Sequence, residues 1–239
     1  AKGIAFGRRL DATVEEPDVF PLAVQGPKAE TLMTGLFGDG IAALPYFGFG
    51  TFDVLGTRQV IARSGYSKQG GFEIYLEGGH LGGALWDLVW EAGRGLEIRP
   101  GCPNLIERIE GGLMSYGNEF TRANNPLECG FKRYCHLEDG IDYIGREALL
   151  KIAEDGPDRH IMGVKFGGEP LSGVAVPLAV MAADGTQVGQ VTSGIWSPRL
   201  GCNVGMSMIA RDHWDAGTAV IVRDADGAPH EGVVASLPL

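Results

Sequence analysis

Apolar residues in this chain come in short runs separated by glycine- and proline-rich breaks. The first run, Val19-Phe20-Pro21-Leu22-Ala23-Val24, is closed by Gln25-Gly26-Pro27 and reads as a strand ending in a turn. A short helix is expected over residues 28–36. Segments at 46–54, 59–62 and 72–76 are rich in apolar, β-branched and aromatic residues and predict three more strands. Over residues 80–92 the spacing changes to that of a helix, through Leu81, Leu85, Leu88 and Val89. Strands with intervening helices make an α+β unit.

Residues 103–114 predict a further helix. Pro103 is acceptable in its first turn, where no backbone N–H is needed, and Leu105, Ile106, Ile109 and Leu113 form an apolar stripe. Glu110 falls on that stripe, four residues after Ile106. A carboxylate there is partly desolvated and needs a partner, such as a backbone amide cluster or an arginine. A structural tie to a neighbouring loop and a direct ligand role both remain open.

A helix over 144–154 ends at Asp155-Gly156-Pro157-Asp158, a hydrophilic breaker that marks the expected domain boundary. Beyond it, β-rich runs at 161–166, 174–181, 188–192, 204–209, 219–222 and 232–237 recur with turn signals between them, the pattern of a small all-β barrel or sandwich. The expected organisation is an α+β region over 1–154 and a β domain over 155–239.

Composition supports this reading through its 38 glycines, which favour tight turns and short strands over long helices. A net charge of -10 argues against a general nucleic-acid or anionic-membrane surface, which needs clustered cations. No apolar run approaches the length of a membrane helix, and Ala1-Lys2-Gly3-Ile4-Ala5 lacks the apolar core of a signal peptide, so a cytoplasmic protein is expected. The four cysteines form no CxxC pair and are expected to be reduced thiols. The five histidines show no ligand spacing, so no metal is expected.

The stretch Ala62-Arg63-Ser64-Gly65-Tyr66-Ser67-Lys68-Gln69-Gly70-Gly71-Phe72-Glu73-Ile74-Tyr75 carries the main candidate chemistry. It sets aromatics and one carboxylate on a strand entered through a glycine-rich turn. A flat heterocycle such as a pterin offers N–H donors along one edge and apolar faces above and below, which a carboxylate and aromatic rings match. Strand alternation puts Tyr75 on the face of Glu73.

Four segments, in this order, resemble the folate-dependent aminomethyltransferase family typified by the glycine-cleavage T-protein. They are Gln25-Gly26-Pro27, the run from Arg63-Ser64-Gly65-Tyr66 to Glu73, Ile144-Gly145-Arg146-Glu147-Ala148-Leu149, and Thr192-Ser193-Gly194-Ile195-Trp196-Ser197-Pro198. Within the family, Ser67 to Glu73 and Pro103 to Gly117 look more like the dimethylsulfoniopropionate demethylases than like the T-protein. The Ala-Arg-Asp signature usual at the start of the T-protein helix reads Pro103-Asn104-Leu105 here.

The resemblance implies a fold in which tetrahydrofolate enters a central channel beside a β-rich C-terminal lobe. It implies folate contacts from Glu73 on the pterin edge and from Tyr66, Tyr116 and Trp196, the last read as part of a turn. Tyr75, Tyr66 and Lys68 are the implied substrate contacts. Arg63 is a further candidate for an anionic tail or substrate carboxylate. The implied activity is methyl transfer from dimethylsulfoniopropionate or a similar donor to tetrahydrofolate. A glycine-cleavage-type aminomethyltransferase and a non-catalytic folate-binding or assembly protein are the alternatives, the latter lacking here its Lys-Gly-Cys-Tyr signature.

Members of the family carry a further stretch before the position matching Ala1, with an acidic residue near the reacting nitrogen. The catalytic group is therefore expected upstream of Ala1. The implied partners are a small-molecule methyl donor and an N-terminal segment or second chain completing the fold, with a homodimer also open. An apolar sheet edge or face is expected where that segment belongs.

Overall fold

The computed structural model describes residue 9 and residues 11–102 and 104–239. The chain divides into two compact units, residues 1–102 and 103–239.

In the first unit, β1 (Val19–Gln25), β2 (Phe49–Val54), β3 (Thr57–Ala62) and β4 (Gly71–Glu77) form an antiparallel sheet in the order β1-β4-β3-β2. Helices α1 (Ala29–Phe37) and α2 (Gly82–Gly93) bring Leu32, Met33, Leu85 and Val89 into one core with Val24, Val54, Ile61, Phe72, Ile74 and Leu76 of the strands. Alternation along β4 explains the division: Phe72, Ile74 and Leu76 are buried, whereas Glu73 and Tyr75 point to the opposite face.

That second face is ordered in cross-strand rows. Ala23, Glu73, Ala62 and Phe49 make one row, and Pro21, Tyr75, Val60 and Thr51 make the next. Phe49 is 71% exposed and Val60 37%. On α2, Trp86 is 46% exposed and stacks on Trp90, so the pair lies on the helix's outer side.

In the second unit, β5 (Arg159–Phe166), β6 (Leu178–Met181), β7 (Gln187–Ser197), β8 (Cys202–Ala210), β9 (Ala219–Arg223) and β10 (Pro229–Ala235) close into a barrel in the order β10-β5-β8-β7-β6-β9. Val164, Val180, Val191, Ile209, Val220, Val222 and Val234 fill one cluster of its core. The register of β7 on β8 shifts between Val191 and Ser193, a bulge that bends the strand toward closure. Gly205 sits against it, because a Cβ there would lie 2.9 Å from the Ser193 carbonyl oxygen and against the Val191 side chain.

Helix α3 (Leu105–Glu110) packs on the barrel through Ile106 and Ile109, beside Ile161, Ile195, Val204 and Met206. Helix α4 (Arg146–Asp155) sets Leu149 and Ile152 against Leu127, Cys135 and Leu137. Helix α3 is shorter than the 103–114 expected, and Pro103 lies outside the described residues. Asn104 caps the start by accepting from the Ile106 N–H at 2.9 Å. At the other end Gly112 takes a left-handed φ of 64°. Gly112 N–H then bonds Ile109 O and Leu113 N–H bonds Arg108 O, a Schellman stop. Leu113 continues the apolar stripe in sequence although the helix has already ended.

Two barrel strands also differ from expectation. The 174–181 run is a strand only over Leu178–Met181, after Pro177, which has no N–H to give a ladder. In contrast, β7 runs five residues beyond Thr192 to Ser197. Trp196 is therefore a strand residue opposite Asn203, and the turn follows it. No described helix is long and apolar enough to cross a membrane.

Candidate functional site

The strand β4 and the loop before it hold the first group of candidate residues. Glu73 stands between Ala23 and Ala62 on the open sheet face. Glu73 is half-buried between these two small neighbours, with Phe49 at the end of its own row and Tyr75 in the next row on the same face. Ser64 Oγ donates to Glu73 Oε2 at 2.5 Å. One carboxylate oxygen is thus oriented by the protein, and the other accepts nothing from the described residues. Charge-assisted bonds of this type are short and directional.

Loop residues 63–70 place Tyr66 and Lys68 at the entrance to β4. Tyr66 is 38% exposed, and Lys68 is exposed with a left-handed φ of 60°. Gly70 and Gly71 carry φ values of 76° and 148°, which lets the chain turn into the strand. Arg63 is committed elsewhere. Its guanidinium donates to Ala42 O at 2.8 Å and Leu44 O at 3.3 Å, pairs with Glu30 at 2.5 Å, and lies 5.5 Å from the Phe72 ring centre. These contacts brace the loop before β2 against the sheet and replace the ligand role open to Arg63 in sequence.

Tyr116 and Trp196 belong to the second unit. Tyr116 is 62% exposed, with its ring edge-on to Phe120 at 5.7 Å. Phe120 meets Phe131 in the same manner, and Phe131 meets Tyr134, so the four rings form a ladder. Trp196 is half-buried, and its backbone N–H donates to Leu171 O at 2.9 Å. The buried Asn203 opposite it ties the adjoining loop through Gly167 O, Glu169 O and Leu171 N.

The second unit also contains an ionic network that motif reading passed over. Arg108 makes a two-pronged ion pair with Glu119, at 3.0 and 3.2 Å, and donates to Ser193 Oγ at 2.6 Å. Ser193 in turn bonds Glu119, which also accepts from the Ser115 N–H at 2.6 Å. All three side chains are buried. Their mutual satisfaction makes this a rigid joint between α3, the loop after it and β7. The available signal was Arg108 on a helix face flanked by Ile106 and Ile109. Among the described residues, no group of three or more His, Cys, Asp or Glu side chains could hold a metal.

Comparison with known proteins also finds a barrel at the C-terminal end of the chain. The GCVT N-terminal domain model matches residues 5–139, and the glycine cleavage T-protein C-terminal barrel domain model matches residues 159–239. The chain belongs to the glycine cleavage T-protein family. It is 49% identical over 226 residues to the dimethylsulfoniopropionate demethylase DmdA of Ruegeria pomeroyi, covering 94% of this chain and 61% of that protein. It is 33% identical to an aminomethyltransferase of Thermoanaerobacter pseudethanolicus, covering 85% of this chain and 55% of the relative. The crystal structure of glycine cleavage system aminomethyltransferase T from Bartonella henselae superposes with a TM-score of 0.79 at 24% identity, over 99% of this chain and 64% of that one. The chain thus spans 61% and 55% of the length of the two curated relatives.

Proposed function

We propose that this chain serves tetrahydrofolate-dependent methyl transfer, with dimethylsulfoniopropionate or a close methylated donor as the methyl source. The observation that carries the reading is the Glu73 carboxylate on the open face, oriented by Ser64 and flanked by two alanines. The 49% identity to a protein named for dimethylsulfoniopropionate demethylation supports the choice of donor over the aminomethyl alternative, whose representative above stands at 33%.

The residues present fit a pterin edge. Glu73 has an acceptor oxygen to offer to ring N–H and amino donors, and the small side chains beside it let a flat ring approach. Tyr66 lies at the mouth of the same strand, where its ring can meet a face of the heterocycle. Tetrahydrofolate, when bound, supplies the nitrogen that accepts the methyl group.

The donor sulfonium is already activated by its charge, and its departure leaves a neutral thioether, so little acid–base assistance is needed. What the chain contributes is orientation and a wall that tolerates a cation. The faces of Tyr66 and Tyr75 attract such a cation by roughly 0.5–2 kcal/mol, depending on desolvation. Lys68 is assigned the donor's carboxylate as a charge-assisted contact.

The test is to mix the full polypeptide with tetrahydrofolate and dimethylsulfoniopropionate and follow products by mass spectrometry. Methyltetrahydrofolate and a thioether are expected in equal amounts. Absence of both, with turnover of a methoxy-aromatic, methylamine or aminomethyl donor, rules out the sulfonium substrate. Folate binding with no transfer from any donor favours a non-catalytic folate-binding protein.

A further inference from the structure

The Gln25 side chain reaches both ends of the loop linking β3 to β4. Its Nε2 donates to Ser64 O at 3.0 Å and to Phe72 O at 3.2 Å, while its Oε1 accepts from Ser67 Oγ at 2.7 Å. Ser64 is the residue whose hydroxyl holds Glu73, and Phe72 immediately precedes Glu73 in β4. One carboxamide therefore connects the beginning and middle of the loop that carries Tyr66 and Lys68 to the start of β4 at Phe72. The Gly26 N–H adds a backbone bond to Gly70 O at 3.0 Å from the adjacent position.

Two glycines record the space this side chain occupies. A Cβ on Gly65 would overlap the Gln25 carboxamide. Gly65 has no left-handed φ to require glycine, so the close approach of Gln25 is what excludes a larger residue. A Cβ on Gly71 would run into the Val24 carbonyl oxygen and lie 2.8 Å from Gln25 Nε2. A flexible glutamine would ordinarily swing aside from such contacts; three hydrogen bonds hold this one.

We propose that Gln25 is the positioning residue of the candidate site. Its carboxamide fixes the 63–70 loop to the start of β4 so that the Ser64 hydroxyl presents the Glu73 carboxylate in a set direction and Tyr66 and Lys68 are held at the entrance to that strand. This rests on the reading of Glu73 as a folate ligand. The chemistry requires two donors and one acceptor in one plane, which a carboxamide provides. A carboxylate of the same shape provides no donor and sets negative charge against two carbonyl oxygens.

The experiment compares Gln25→Glu, Gln25→Ala, Gly65→Ala and Glu73→Gln in the full polypeptide. It measures tetrahydrofolate affinity, together with amide hydrogen exchange over residues 63–72 without ligand. Losing two neutral hydrogen bonds should weaken affinity about tenfold in Gln25→Glu. The isosteric Glu should be at least as damaging as Ala, and exchange in the loop should rise in both. Gly65→Ala should reproduce the effect by displacing the carboxamide. Ser67→Ala keeps two of the three bonds and serves where Gln25→Glu fails to fold, with a loss of roughly three- to tenfold expected.

Gln25→Glu at wild-type affinity, or closer to wild type than Gln25→Ala, would mean the side chain only fills space and overturns the proposal. So would unchanged affinity in Ser67→Ala and Gly65→Ala. Wild-type affinity in Glu73→Gln sinks instead the folate-ligand reading of Glu73. Loop exchange then separates the two, since raised exchange in Gln25→Glu keeps the clamp and unchanged exchange removes it.

Discussion

Glu110 accepts a hydrogen bond from Ser197 Oγ at 2.5 Å and from Arg199 Nε at 2.8 Å, joining the last residue of α3 to the end of β7. The charged carboxylate on the apolar stripe has an arginine for a partner, one of the two kinds its position called for.

This pairing makes stability depend on pH. Burial opposes ionisation of Glu110, but the Ser197 hydroxyl and the Arg199 guanidinium outweigh it and hold the carboxyl below its ordinary value of 4.5. A carboxyl depressed in the folded state contributes fully above its unfolded value and loses that contribution as pH falls through the folded one. Glu110→Gln should therefore lower Tm at neutral pH and flatten the loss of Tm below about pH 4.5, as scanning calorimetry across pH 3–7 will show. Ser197→Ala should cost about 1–3 kcal/mol, since it withdraws a donor from a partly buried charge.

Arg108 and Glu119 form a buried pair, and removing one partner strands the other. Arg108→Ala should destabilise the protein by about 3–5 kcal/mol in urea unfolding. Arg108→Met combined with Glu119→Leu should recover much of that loss, because no charge is left uncompensated. A double mutant no better than the single one would show that Ser193 and Ser115 depend on the pair for their own placement.

Glu73→Gln should weaken tetrahydrofolate binding by at least about tenfold, the loss expected when hydrogen bonds to a charged acceptor become neutral ones. Ser64→Ala should weaken it less, because the charge remains and only its orientation relaxes. Isothermal titration of both variants gives the order, and a larger effect for Ser64→Ala would contradict it.

The cysteines should separate by reactivity. Burial, reinforced by the neighbouring Glu128 charge and only partly offset by Arg159, pushes the Cys129 thiol up to about 11. Cys102 is exposed. Iodoacetamide at pH 7.5 should modify Cys102 within minutes and Cys129 only in denaturant, because the thiolate is the reacting form. Peptide mapping after timed quenching reads both.

Much of the architecture was legible from apolar runs and the breaks between them. The strands of the first sheet, both of its helices and all six barrel strands stand within a few residues of where apolar runs and the turn signals between them put them, because a run that enters a core must end where glycine or proline turns the chain. Errors fell at element ends. Leu113 continues a helical stripe in sequence although Gly112 has already reversed the chain. Trp196 sits beside Ser197-Pro198, and that turn signal hid the fact that β7 extends to Ser197. In the candidate site, the shared face of Glu73 and Tyr75 followed from strand alternation alone.

The chain by itself determined which residues alternate, where glycine interrupts a run, and which segments carry a carboxylate beside aromatics. These are consequences of local geometry, fixed within a few residues. Only the tertiary structure decided what each polar group is bound to. Ser193 meets Arg108 across 85 residues, Gln25 reaches Ser64 across 39 and Phe72 across 47, and Arg63 turns away from the sheet's open face to Glu30. Partners so far apart are chosen by the packing of whole elements and by the cost of leaving a buried donor or acceptor unpaired, and neither is written in any one stretch of the chain.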